Sequence, residues 1–166
     1  MTIFLVRHGS AGHRNDSDPN DLDRHLDSTG LVQAERLAAV FSGAEQLTGL
    51  GDLGVPAVER VWSSPAARCV ETIEPTASRL GVSLSTSPHL LEGADIDGAW
   101  ELIESLARES GDSVMCSHGD MIPELIRRAR LRGMLVPTKS GCSKGSVWAL
   151  SWDGDRFISG SYATTR

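Results

Sequence analysis

Two histidines in this sequence each precede a glycine, at Arg7-His8-Gly9 and at Ser117-His118-Gly119. A further arginine, Arg68, follows Ser63-Ser64-Pro65. A neutral imidazole can attack phosphorus and carry a phosphoryl group. Guanidinium groups offer forked donors that match phosphate oxygens. A second imidazole can donate to an equatorial oxygen as charge spreads in the transition state. His8, Arg7, Arg68 and His118 are therefore the candidate catalytic set for phosphoryl transfer, with arginines in the place that magnesium fills in many such reactions. Gly9, Ser10 and Gly119 are candidate substrate contacts, since glycine lets the backbone approach a ligand closely. A group leaving as an alkoxide also needs a proton. Glu92, in HLLEGAD, is the candidate donor, and a solvated loop carboxylate is the alternative reading. Lys144 and Ser146, in KGS, either reach a phosphate or the substrate's tail, or form a turn before the last strands. Neither a carboxylate cluster nor metal-ligand spacing stands out, so no metal and no cofactor are expected.

These residues can meet only if the chain brings distant segments to one place. Thr2–Arg7 (TIFLVR) is β-branched, aromatic and almost continuously apolar, which suits a central parallel strand covered on both faces. A polar loop follows. Leu31, Ala34, Leu37, Ala38 and Phe41 recur at helical spacing and predict a helix over Gly30–Ser42, capped by Asp27, Ser28 or Thr29. Residues 43–56 read as loop. Glu59–Trp62 reads as a strand, and Pro65 suits the first turn of the next helix, which carries Pro75 inside it and ends at Gly81. A weak strand at Val82–Ser85 comes next, and a helix then opens at Asp97 or Gly98. Ser113–Cys116 reads as a strand and Met121–Arg132 as a helix. SVWALSW and RFISGSY flank Asp153-Gly154-Asp155, the pattern of a hairpin. Strands and helices alternate. The expected fold is α/β, a mostly parallel sheet with helices on both faces and a C-terminal hairpin, in one domain spanning residues 1–166. In such a sheet the ends after Val6, Trp62 and Cys116 share one edge, where ligands bind.

The bulk properties narrow the partners. A net charge of −6 argues against a general binder of nucleic-acid polymers. No apolar run reaches membrane-spanning length, and MTIFLV carries no secretory signature. Three cysteines without ligand spacing suit reduced thiols, so a cytoplasmic location is expected. The run Arg127, Arg128, Arg130 and Arg132 reads as a solvated helix face or as a patch that steers anions.

With these residues in place, the sequence resembles the histidine phosphatase, or phosphoglycerate-mutase-like, superfamily. RHG at 7–9 matches its defining motif, SSPAARCVET at 63–72 its arginine segment, and SHG at 117–119 its second-histidine segment. The resemblance implies that His8 is the nucleophile, and that Arg7, Arg68 and His118 form the phosphate pocket. DRHLDSTG at 23–30 is similar to a segment of the small phosphohistidine-phosphatase branch, with His25 where that branch has proline. IPELI at 122–126 and KGSVW at 144–148 resemble the phosphatase domain fused to Nudix hydrolases in some bacterial nucleotide-sanitising enzymes. No Nudix box occurs here, so a stand-alone domain is expected. The expected substrate is protein phosphohistidine or a small phosphoester, including a nucleotide or sugar phosphate. A non-catalytic phosphate-binding module is the rival reading.

Overall fold

A computed structural model describes every residue except 20, 52 and 166. In chain order the elements are β1 (Thr2–Arg7), α1 (Ser28–Phe41), β2 (Val58–Ser63), α2 (Ala67–Leu80), β3 (Leu84–Thr86), α3 (Ile96–Ala107), β4 (Asp112–Ser117), α4 (Met121–Leu131), β5 (Val147–Trp152) and β6 (Phe157–Ala163). One sheet holds all six strands, in the order β3-β2-β4-β1-β5-β6. The strands β1 to β4 are mutually parallel, while β5 runs antiparallel to both β1 and β6. The expected mostly parallel sheet with a terminal hairpin is the observed one.

The near-continuous apolarity of β1 reflects a strand buried on both sides. Ile3 and Leu5 pack with α3 and α4, against Ile103, Leu125 and Trp148. Phe4 and Val6 pack with α1 and α2, against Leu37, Phe41 and Ile73. Phe4 and Phe41 meet edge to face at 5.1 Å, a geometry that adds about 1 kcal/mol to simple burial. The alternation continues past the apolar run. Arg7 therefore falls on the α3/α4 side and His8 on the α1/α2 side, one to each flank of the sheet edge.

Several boundaries differ from expectation for local reasons. The first helix begins at Ser28 because Asp27 caps it, its carboxylate accepting from the Gly30 N–H at 2.9 Å. The helix α2 starts at Ala67, so Pro65 lies before the cap at Ala66 rather than in the first turn. It runs through Pro75 and ends at Gly81, which takes φ +68°. The weak strand forms over Leu84–Thr86, where it pairs with β2. The third helix opens at Ile96 under an Asp95 cap. Residues 43–56 are irregular as expected, with residue 52 outside the described residues. A 3₁₀ turn at Pro88–Leu90, absent from the sequence reading, leads into the Glu92 loop. Among the described residues no helix is long and apolar enough to cross a membrane, and Cys69, Cys116 and Cys142 are unpaired thiols.

Candidate active site

Three strand ends meet at one edge of the sheet. The His8 N–H donates to the Ser117 carbonyl at 3.1 Å, and the Ser64 N–H to the Cys116 carbonyl at 2.9 Å. These bonds extend the β4 pairings just beyond the strands and fix the two histidines against each other. The rings of His8 and His118 lie 5.4 Å apart, at an interplanar angle of 64°.

Between them stands Arg68, in the first turn of α2 and 1% exposed. Its Nε faces His8 Nε2 at 3.4 Å, and one terminal nitrogen donates to His118 Nδ1 at 3.2 Å. A buried guanidinium is costly unless its donors find acceptors. The other terminal nitrogen donates to the backbone carbonyl of Asp21 at 2.6 Å. Asp21 is itself buried, at φ +42°, and its carboxylate accepts two 2.8 Å contacts from Arg24. Burial works against the Asp21 charge, but the Asn15 N–H and Arg24 hold its carboxyl below the usual range.

The tautomers follow from the partners. A carbonyl can only accept, so His8 Nδ1–H donates to the Gly9 carbonyl at 2.8 Å, leaving the Nε2 lone pair unprotonated. A guanidinium can only donate, so His118 Nδ1 accepts from Arg68 and Nε2–H donates to Ser64 Oγ at 2.8 Å. Burial lowers the pKa of His8 to about 4, with Arg68 and Arg7 adding to the effect against the Gly9 carbonyl. Burial, with Arg68 next in weight, lowers that of His118 to about 3. Both rings are neutral near pH 7. His8 has the protonation state that a nucleophile needs. His118 has both nitrogens engaged, so donation to a phosphoryl oxygen requires it to leave Ser64 or Arg68.

Arg7 reaches the cup from the other flank. One terminal nitrogen donates to the Cys142 carbonyl at 2.5 Å, while the buried Nε has no protein acceptor. Gly119 allows this, since a Cβ there would stand 2.7 Å from the guanidinium carbon of Arg7. Glu92 sits at the mouth, 3.4 Å from Arg68 and 3.2 Å from Arg14. With Arg68, His118, Pro19, Leu22, Ala66 and Leu91 it lines a cavity of about 90 Å³, close to the size of a phosphoryl group. Among the described residues, no group of three or more histidine, cysteine or acidic side chains is placed to hold a metal.

The remaining sequence-derived candidates have other partners. The Gly9 N–H donates to Thr72 Oγ1 at 2.9 Å, and Gly9 packs against Gly30. The Ser10 N–H donates to Gln33, and its hydroxyl to Asp27. Lys144 is exposed, and its carbonyl accepts from Gln33 at 3.2 Å. Ser146 is buried, and its carbonyl accepts the Arg7 N–H. The arginine run divides: Arg128 and Arg132 turn toward Asp97 and Glu104, and Arg127 pairs with Glu124. Sequence reasoning missed Ser64, Thr72, Asp21, Arg24 and Cys142. For Arg24 a signal existed, since it lies in the DRHLDSTG segment. Cys142 contributes only a backbone carbonyl, which no residue type announces.

The sequence model of the histidine phosphatase superfamily (branch 1) matches residues 3–99. The chain belongs to that superfamily, and the enzyme class that this membership brings is phosphatase. It is 35% identical over 164 residues to the 8-oxo-(d)GTP phosphatase of Mycolicibacterium smegmatis, covering 97% of this chain and 47% of that protein. The chain thus spans about half the length of that relative. Among solved structures, the protein histidine phosphatase SixA complexed with tungstate superposes with a TM-score of 0.70 at 21% identity, over 98% of this chain and 94% of that one. Phosphoserine phosphatase in complex with 3-phosphoglyceric acid, from Entamoeba histolytica, gives 0.68 at 15% identity, over 99% and 98%. Both likenesses are in fold.

Proposed function

We propose that the chain hydrolyses a phosphorylated substrate in two steps through a phosphohistidine on His8. The observation that carries this reading is the buried Arg68 guanidinium set against two imidazoles that the same burial keeps neutral. In the first step the Nε2 lone pair of His8 forms a bond to phosphorus and the bond to the leaving oxygen or nitrogen breaks. That atom keeps the electron pair and takes a proton from Glu92, which lines the cup and enters the step as the carboxylic acid, released from its contacts with Arg68 and Arg14. Arg7, whose buried Nε has no protein acceptor, and Arg68 bind the equatorial oxygens, with His118 as a third donor. In the second step water attacks phosphorus, gives a proton back to Glu92 and releases His8. Gly119 makes room for the Arg7 guanidinium at this cup, and Gly9, Ser10, Lys144 and Ser146 act through the backbone around it, in a single domain spanning residues 1–166.

The substrate class is a small phosphorylated metabolite, a nucleotide in the first instance. The 35% identity to a phosphatase of 8-oxo-(d)GTP supports that class. Protein phosphohistidine is the second reading. It is favoured by the pairing of Glu92 with Arg68 and Arg14, which works against its role as an acid, since a leaving nitrogen needs less help from Glu92 than an alkoxide does. Three unpaired thiols fit a reducing compartment such as the cytoplasm.

Trapping labelled phosphate on the protein tests the mechanism. An acid-labile, base-stable adduct is expected on the native chain and none on His8→Ala. Substrate binding without any adduct or turnover would leave only the phosphate-binding module.

A further inference from the structure

A second cavity lies beside the cup and is larger. It holds about 580 Å³ against about 90 Å³, which is in the range of small-molecule sites. Pro123, Ile126 and Leu131 of α4 and Trp148 of β5 give it apolar walls, and Arg127 and Arg130 stand at its edge. The facing wall is the segment 140–142. Arg7 links the two: its guanidinium donates to the carbonyl of Cys142, a lining residue of the larger cavity, and packs on Gly119, next to His118 of the smaller one. That wall is fixed in place. Trp148 Nε1 donates to the Gly141 carbonyl at 2.9 Å, and the Ser143 N–H donates to the Tyr162 hydroxyl at 3.0 Å.

We propose that this cleft receives the base of a nucleotide whose phosphate lies in the cup, an inference that rests on the phosphatase reading above. Apolar walls suit a flat ring, and a planar guanidinium stacks on one. Charge decides between a nucleotide and an acidic peptide. Arg127 already faces Glu124 at 3.1 Å, while Arg128 and Arg132 turn to Asp97 at 2.7 Å and Glu104 at 3.5 Å. Arg130 remains as an exposed cation without an acidic partner among the described residues. One open cation matches a single ring, whereas an acidic run calls for several.

Cys142 can report occupancy without turnover. It is a partly exposed thiol on the cleft wall, whereas Cys69 and Cys116 are buried. Its alkylation by iodoacetamide is measured with guanosine, GMP, inorganic phosphate or a polyglutamate peptide. Guanosine and GMP are expected to slow the reaction, inorganic phosphate to leave it unchanged, and Arg130→Glu to abolish the protection. Arg130→Glu is also expected to raise KM for GMP about tenfold, equivalent to ~1.4 kcal/mol, with turnover of phenyl phosphate unchanged. Protection by the peptide but not by guanosine, equal protection by inorganic phosphate, or equal loss on both substrates would overturn the assignment. Guanosine protection in a chain that hydrolyses neither compound would instead remove the phosphatase reading and keep the cleft.

Discussion

Arg68 faces two bases that could each take a proton, and its own charge helps to stop them. The consequences can be measured. Imidazole resonances of His8 and His118, followed by NMR, are expected to stay in the neutral form down to about pH 5, consistent with values near 4 and 3. A titration of either ring near 6.5 would contradict the burial argument. Replacing Arg68 with lysine removes the fork that spans both rings. The expected loss in kcat/KM is roughly 10²–10³-fold, the usual cost of one transition-state donor. An arginine-to-methionine change at the same position is expected to raise both histidine pKa values, because a repelling charge has gone. For the nucleophile, His8→Ala is expected to lower kcat by at least about 10³-fold, the scale of losses on removing a covalent catalyst.

The elements act here as spacers that end at chosen atoms. The helix α2 carries Arg68 at its start and Thr72 one turn later, on the same side. Thr72 accepts the Gly9 N–H, so one turn of helix both supplies the cation and steadies the backbone next to the nucleophile. Thr72→Val keeps the shape and leaves that N–H unpaired. The expected cost is about 1–3 kcal/mol of stability, read by denaturant unfolding, with a lower kcat. Much of this layout was legible in the sequence. RHG, SSP-to-Arg68 and SHG each follow an apolar run, and a parallel sheet gathers such ends at one edge. What stayed hidden depends on the loop between β1 and α1. Asp21 serves through its backbone carbonyl, and Glu71 ties the loop down by accepting from Leu26 N–H at 2.8 Å and pairing with His25. Ser10 looks like a ligand contact by position, yet its hydroxyl belongs to the Asp27 cap. Backbone roles and long-range anchors leave no periodic trace in residue types.

At the scale of the molecule, the buried neutral histidines set how stability responds to acid. Each binds a proton near 6.5 when unfolded but only near 4 or 3 when folded. The unfolded state therefore holds more protons below about pH 6.5, so stability falls as the pH drops from there toward 4. The slope approaches ~1.4 kcal/mol per pH unit for each ring. Thermal melts between pH 7.5 and 4.5 check this, and His118→Asn is expected to flatten the decline. The sheet also carries one strand against the grain. Because β5 is antiparallel to β1, its first residue rather than its last lies beside the cup, pairing Val147 with Val6. The segment entering β5 is thus delivered to the reactive end of the molecule, where a parallel strand would have sent it to the far side. It is also tied to the nucleophile's backbone, since the Gly145 N–H donates to the carbonyls of Arg7 and His8, both at 3.1 Å. A substitution in residues 140–146 therefore reaches the reacting groups through the Cys142 carbonyl and through the backbone of Arg7 and His8, so the border of the cup and the chemistry inside it are mechanically one piece.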